Sequence, residues 1–179
     1  FNVPVNVDTL TISGSGTFSN SVQAKTVNLT GTARFVGSAD LGAVGLTGTG
    51  TFDGPATLSS LTLNNGTMSG TGVVTVTNVV WTRGTMSGLG TTVVPAGGSL
   101  LINAPSGYYV LLSQRVLHNA GSGVWTNLGN IYGQYGAVVT NSGSWEVRSD
   151  AAMNWLGNGA KAAFFNGGLF SKTGGSGTT

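Results

Sequence analysis

The sequence predicts an all-β chain: a right-handed parallel β-helix, or β-solenoid, with three short strands per coil. Three observations predict it. Apolar residues recur at a step of 17 through the first half, they fall in i, i+2 pairs with polar residues between them, and glycines interrupt the pattern at the same period. Alternation of period 2 marks strands with one buried face, and a fixed long period marks coils stacked on one another.

The first column is aromatic, running Phe18, Phe35 and Phe52, with the series extended by small slips to Met68 and Met86. The second sets Leu10, Val27, Val44 and Leu61 two residues ahead of Ile12, Leu29, Leu46 and Leu63, across polar Thr11, Asn28 and Thr62. A third runs Val5, Val22, Ala39, Ala56 and Val73, accompanied by Val7, Ala24, Leu41 and Leu58. Three tracks imply three strands per coil. Gly14, Gly31 and Gly48 close one corner of successive coils. A meander of antiparallel hairpins could use the same turns, yet like side chains at one period are better explained by vertical stacking at about 4.8 Å.

From Pro95 the coils widen to 20–25 residues and a second motif appears. Asn119, Asn141 and Asn166 each follow an apolar residue by two (Leu117, Val139, Phe164) and precede glycine by two. Trp145 and Phe170 lie four residues after their asparagines, and Trp125 six after Asn119, as a two-residue insertion would produce. Stacked asparagines at equivalent positions are expected to form an amide ladder. The chain reads as one solenoid domain over 1–179, compact over 1–94 and wider over 95–179, and as a piece of a longer repeat array.

The runs GTMSG (66–70 and 84–88), TVVPAGGSLLI (92–102) and NSGSWEV (141–147) resemble the repeats of large bacterial extracellular β-helix proteins, the haemagglutinin-like adhesins and autotransporter passengers. The resemblance implies a solenoid fold and a secreted, extracellular or cell-surface location.

Composition narrows the function. Charged residues are 7% of the chain and hydrophobic ones 40%, so the surface relies on hydroxyls and amides. The net charge of +2 comes from scattered cations, which argues against a nucleic-acid partner. No run reaches the roughly 18 apolar residues of a membrane span. Cysteine is absent, removing disulfides and thiolate metal sites. The five acids are Asp8, Asp40, Asp53, Glu146 and Asp150. No two share a track as a glycosidase pair would, and Glu146 with Asp150 comes nearest. The cations Arg148, Lys161 and Lys172 lack the acid cluster that a lyase needs. His118 is the lone histidine, placed at a corner beside Asn119, and no serine has an evident base. Catalytic residues, metal and cofactors are therefore expected to be absent.

The aromatic second half carries the binding expectation. Trp125, Trp145 and Phe170 are assigned to the wider core, leaving Tyr132, Tyr135 and Trp155 as faces on which a sugar ring could stack. The expected role is a structural or adhesive module whose partners are a glycan, a cell surface, or neighbouring solenoids in end-to-end self-association. A carbohydrate-binding module, or a non-catalytic part of a polysaccharide-active protein, is the alternative. A third reading is ice binding, from outward Thr9, Thr11, Thr26, Thr30, Thr47 and Thr62, an array interrupted by Asn28, Ala43 and Gly45.

Overall fold

The computed structural model describes residues 1–177 and is a parallel β-solenoid of about eight turns, with no helix among the described residues. The first five coils each hold a long and a short strand: β1 (Val5–Ile12) with β2 (Ser15–Phe18), β3 (Val22–Leu29) with β4 (Thr32–Phe35), β5 (Ala39–Leu46) with β6 (Thr49–Phe52), β7 (Ala56–Leu63) with β8 (Thr67–Ser69), and β9 (Val73–Trp81) with β10 (Gly84–Ser87). Three-stranded coils follow: β11 (Thr91–Val94), β12 (Ser99–Ile102) and β13 (Tyr109–Ser113); β14 (Val116–Asn119), β15 (Ser122–Trp125) and β16 (Asn130–Gln134); then β17 (Val138–Asn141), β18 (Ser144–Val147) and β19 (Met153–Trp155). β20 (Ala163–Asn166) and β21 (Leu169–Lys172) begin the next turn.

The short strands β2, β4, β6, β8 and β10 continue through β13, β16 and β19 as one sheet of eight, and the other 13 strands form a second sheet that folds around two sides of the coil. Parallel crossovers between L-residue strands favour the right hand, and the coil is that of a right-handed β-helix.

Three arms per coil hold throughout, but in the first five coils two of them are one bent strand. In β3 the burial alternates at Val22 and Ala24, then resumes at Val27 and Leu29. Lys25 and Thr26 are therefore consecutive outward residues, and the strand turns its corner there without losing the ladder. Pro95 ends this economy. It offers no N–H to a neighbouring coil, and a turn over 95–98 separates β11 from β12.

The registers place like on like. Val22 lies on Val5 and Ala39 on Val22, a step of 17. Phe18, Phe35 and Phe52 are buried and stack with ring centroids 5.2 and 4.9 Å apart, and Phe1 continues the stack at 4.9 Å from Phe18. Each buried ring contributes about 1.5–3 kcal/mol of hydrophobic stabilisation. The methionines do not extend this column. Met68 pairs with Gly50, and Met86 with Met68, so both occupy the neighbouring inward row that begins Gly16, Ala33, Gly50. Where the aromatic row is large its neighbour is small, and after Phe52 the sizes exchange. Gly70 ends the ring stack: its φ is +112°, and a Cβ there would stand 2.1 Å from the Phe52 carbonyl oxygen. Val73 is likewise displaced from the third column. The corner 64–66 gains one residue, with Asn65 at φ 65°, so Val74 pairs with Ala56 while Val73 is exposed.

In the wide coils Trp125 and Trp145 are buried as expected, but in different columns. Trp125 pairs with Val147 and Trp145 with Gly123, so no insertion separates them. Each indole has a smaller neighbour, and a Cβ on Gly123 would lie 3.1 Å from the Trp145 ring. Phe170 lies on Trp145 in the last turn, where it is exposed.

The asparagine ladder forms. Asn119 pairs with Asn141 and Asn141 with Asn166. Asn119 Nδ2 donates to Asn141 Oδ1 at 2.8 Å and to the Ser144 carbonyl at 2.8 Å; Asn141 Nδ2 donates to Asn166 Oδ1 at 2.7 Å and to the Leu169 carbonyl at 3.1 Å. Every neighbour of the Asn141 amide nitrogen is thus an acceptor. Asn141→Asp should destabilise more than Asn141→Ser by about 1–3 kcal/mol, because a carboxylate would face those acceptors with no proton to give. Equal melting temperatures for the two variants would refute the ladder's direction.

The ladder starts against an apolar residue. Val94 pairs with Asn119, whose buried Oδ1 finds no hydrogen-bond partner. Val94→Thr supplies one O–H donor in nearly the same volume and should raise stability by about 0.5–1.5 kcal/mol. The same change at Val76, buried against Leu58, should lower it. Chemical denaturation of both variants distinguishes a satisfied acceptor from a general tolerance of threonine.

Candidate functional site

Coil corners determine what stands above the sheets. Between β9 and β10 the corner is Thr82 and Arg83, whereas between β12 and β13 it extends over 103–108. This longer corner is closed by a hydrogen bond from Tyr108 N–H to the Pro105 carbonyl at 3.0 Å, with Gly107 at φ 79°. It carries Tyr108 over Arg83, whose guanidinium carbon lies 3.6 Å from the ring centroid. Tyr109 follows, its ring packed edge-on against Tyr132 at 5.1 Å and 79°. Asn65, Thr67, Arg83, Thr85, Tyr108 and Tyr109 line a groove of about 290 Å³. Tyr108 and Tyr109 are each about half exposed.

Tyr132 is therefore an outward, half-buried residue of β16, leaning on Tyr109 of the preceding coil. Tyr135 and Trp155 meet elsewhere. Tyr135, at φ 53°, donates its backbone N–H to the Asn158 carbonyl, and Trp155 Nε1 donates to the same oxygen at 3.4 Å. Trp155 pairs with Gly133 on an inward row, and Lys161 Nζ lies 5.6 Å from its ring. The three expected residues do not form one surface. Arg83, Tyr108 and Tyr109 were missed by reading columns, although a tyrosine pair after Pro-Ser-Gly marks an exposed turn.

A serine with a base does occur. His118 is not at a corner but on the outward face of β14, between Val93 and Thr140. Its Nδ1 is 2.7 Å from Thr140 Oγ1 and its Nε2 is 3.5 Å from Ser142 Oγ. An acyl-transfer site would also need backbone donors for an oxyanion. The N–H groups of Ser142 and Gly143 already donate to the Asn119 carbonyl, and that of Ser144 to Gly121.

The acids serve the ladder's edges. Asp8 pairs with Lys25, Asp53 with Arg34, Glu146 with Arg148 and Asp150 with Lys172, each at 2.7 Å. Among the described residues no three His, Cys, Asp or Glu side chains gather as metal ligands. Nor is any helix there long and apolar enough to cross a membrane.

The threonines chosen for ice binding do not make one lattice. Thr9 and Thr26 share a row with Ala43 and Ser60, and Thr11 one with Asn28, Gly45 and Thr62. Thr30 and Thr47 lie in corners. The eight-stranded sheet is more regular, with Ser15, Thr32, Thr49, Thr67 and Thr85 in one outward row. Its companion row contains Arg34, and Thr51 bonds Ser69 at 3.0 Å instead of facing outward alone.

No family model, curated protein or solved structure matches this chain.

The ion pairs give stability an acid limit. The Arg34 guanidinium holds the Asp53 carboxyl below its ordinary 3.8, and Lys172, with the backbone N–H groups of Gly177 and Ser176, does the same for Asp150. Glu146, bonded by Arg148 and Thr173, falls from 4.5 to about 2. A carboxyl depressed in the folded state stabilises above its unfolded value and loses that contribution as pH falls toward the folded one. The melting temperature should be level above about pH 5 and decline toward about pH 2, modestly because the pairs are exposed. Circular dichroism melts across that range test this, and a melting temperature that rises on acidification would contradict it.

Proposed function

We propose that the chain is a rigid structural and adhesive module of a secreted or cell-surface protein, one that holds saccharide on its surface without converting it. The in-register pairing that continues from coil to coil carries this reading. A stack in which each coil is fixed by its neighbours makes a stiff rod and leaves function to its corners and outward rows. The hydroxyl-rich outward rows and the resemblance of the repeats to those of extracellular β-helix proteins support an extracellular setting. The committed N–H groups around Ser142, and the cations bound to Glu146 and Asp150, support binding over turnover.

Incubation with a panel of purified bacterial, plant and animal polysaccharides tests the proposal, scoring retention on immobilised polymer and release of reducing ends together. Retention without release is expected. Release that disappears in His118→Ala or Glu146→Gln would replace the adhesive reading with an enzymatic one.

A further inference from the structure

We infer that the groove between the 103–108 corner and strands β8 and β10 is a binding site for an acidic saccharide, with Arg83 recognising a sugar carboxylate and Tyr108 and Tyr109 holding the ring. This inference rests on the adhesive reading and specifies its ligand. Arg83 carries it. Seven Lys and Arg residues are present, and four are neutralised by acids. Arg115 is buried among neutral acceptors, and Lys161 stands at Trp155. Arg83 is only partly exposed, and no carboxylate among the described residues pairs with it. It is held instead against the face of Tyr108. Stacking fixes the guanidinium plane while leaving its edge of N–H donors free, and that edge matches a carboxylate with two parallel hydrogen bonds.

The surroundings suit a sugar rather than a bare anion. Two half-exposed phenol rings offer flat apolar faces, and the Thr67 and Thr85 hydroxyls and the Asn65 amide line the groove for ring hydroxyls. At about 290 Å³ the groove is at the small end for ligand sites, suiting a short stretch of polymer lying across it. Its lining is built by coils whose strands are fixed in register: Thr67 pairs with Thr85, and Thr85 with Leu111. Only the 103–108 corner is extra, so the site is present before the ligand arrives.

Affinity electrophoresis and calorimetry of the whole chain with polygalacturonate, neutral galactan and poly-glutamate test the site. Polygalacturonate should bind, and neutral galactan at least tenfold more weakly. Arg83→Gln and Tyr108→Ala, both on the surface, should each lose at least tenfold in polygalacturonate affinity without changing the circular dichroism spectrum. Arg83→Lys should recover only part of it, and Lys161→Gln should leave it unchanged. Equal polygalacturonate binding by wild type and Arg83→Gln would overturn the site, as would stronger binding of poly-glutamate, which would make the partner an acidic peptide. Binding of galactan that neither variant disturbs would overturn the groove but keep the adhesive reading. Failure to bind any polysaccharide, here and in the wider panel, would overturn both.

Discussion

The controlling constraint is the parallel hydrogen-bond ladder, which sets successive coils about 4.8 Å apart and puts each inward residue directly beneath its counterpart. Whatever stands inside must tolerate a near copy of itself at that distance. Phenylalanine does, as the centroid separations of 4.9 and 5.2 Å show. Asparagine does too, because its amide donates on one side and accepts on the other. Like charges do not, and four of the five carboxylates stand at outward and corner positions beside cations, the fifth, Asp40, being exposed on β5.

The same ladder limits chemistry. Backbone N–H groups that would stabilise a developing oxyanion elsewhere are spent on the coil below, which is why Ser142 near His118 lacks the rest of a catalytic site. Variation is free where the ladder is interrupted, at corners, and the groove sits under the extended one between β12 and β13. A site on this scaffold is therefore an insertion resting on a regular floor.

The period made the fold legible. Seventeen-residue spacing in Phe, Leu and Val places identical residues in register, and the Asn119, Asn141 and Asn166 ladder follows from equivalent spacing to glycine. Single-residue shifts were not legible, because a column read by hydrophobicity accepts either neighbour. Val73 and Val74 are both valine, and only the added corner residue at 64–66 decides which turns inward. Met68 was assigned to the phenylalanine row for the same reason, although the space available to it was above Gly50. Of the aromatic candidates, Tyr132 lies beside the groove, while Tyr135, just after β16, and Trp155, at the end of β19, meet at the Asn158 carbonyl. Arg83 stands one period after Asn65, ahead of the repeated GTMSG, and Tyr108 lies in a lengthened corner, so both fall outside the apolar columns by which the coils were recognised.

Two packing regimes meet near the middle of the rod, one built on stacked phenylalanine and one on tryptophan and asparagine. The junction is where the polar accounting is hardest. Both buried side-chain atoms without a partner among the described residues, Trp81 Nε1 and Asn119 Oδ1, lie on either side of it. Between them the core accepts a cation. Arg115 is fully buried, and burial draws its pKa down to about 10, which leaves it charged at neutral pH. It has no buried acid. Its guanidinium donates to Thr92 Oγ1 at 2.7 Å and to the carbonyls of Gly70, Ser87 and Thr91 at 3.0–3.2 Å, reaching back across coils. Glycines 70 and 88 leave that part of the interior without side chains, and an apolar residue could fill the volume but would offer those oxygens no donor. Arginine supplies length and donors together. A charge that would be intolerable if repeated every coil is stable when it occurs once, at the turn where the repeat changes.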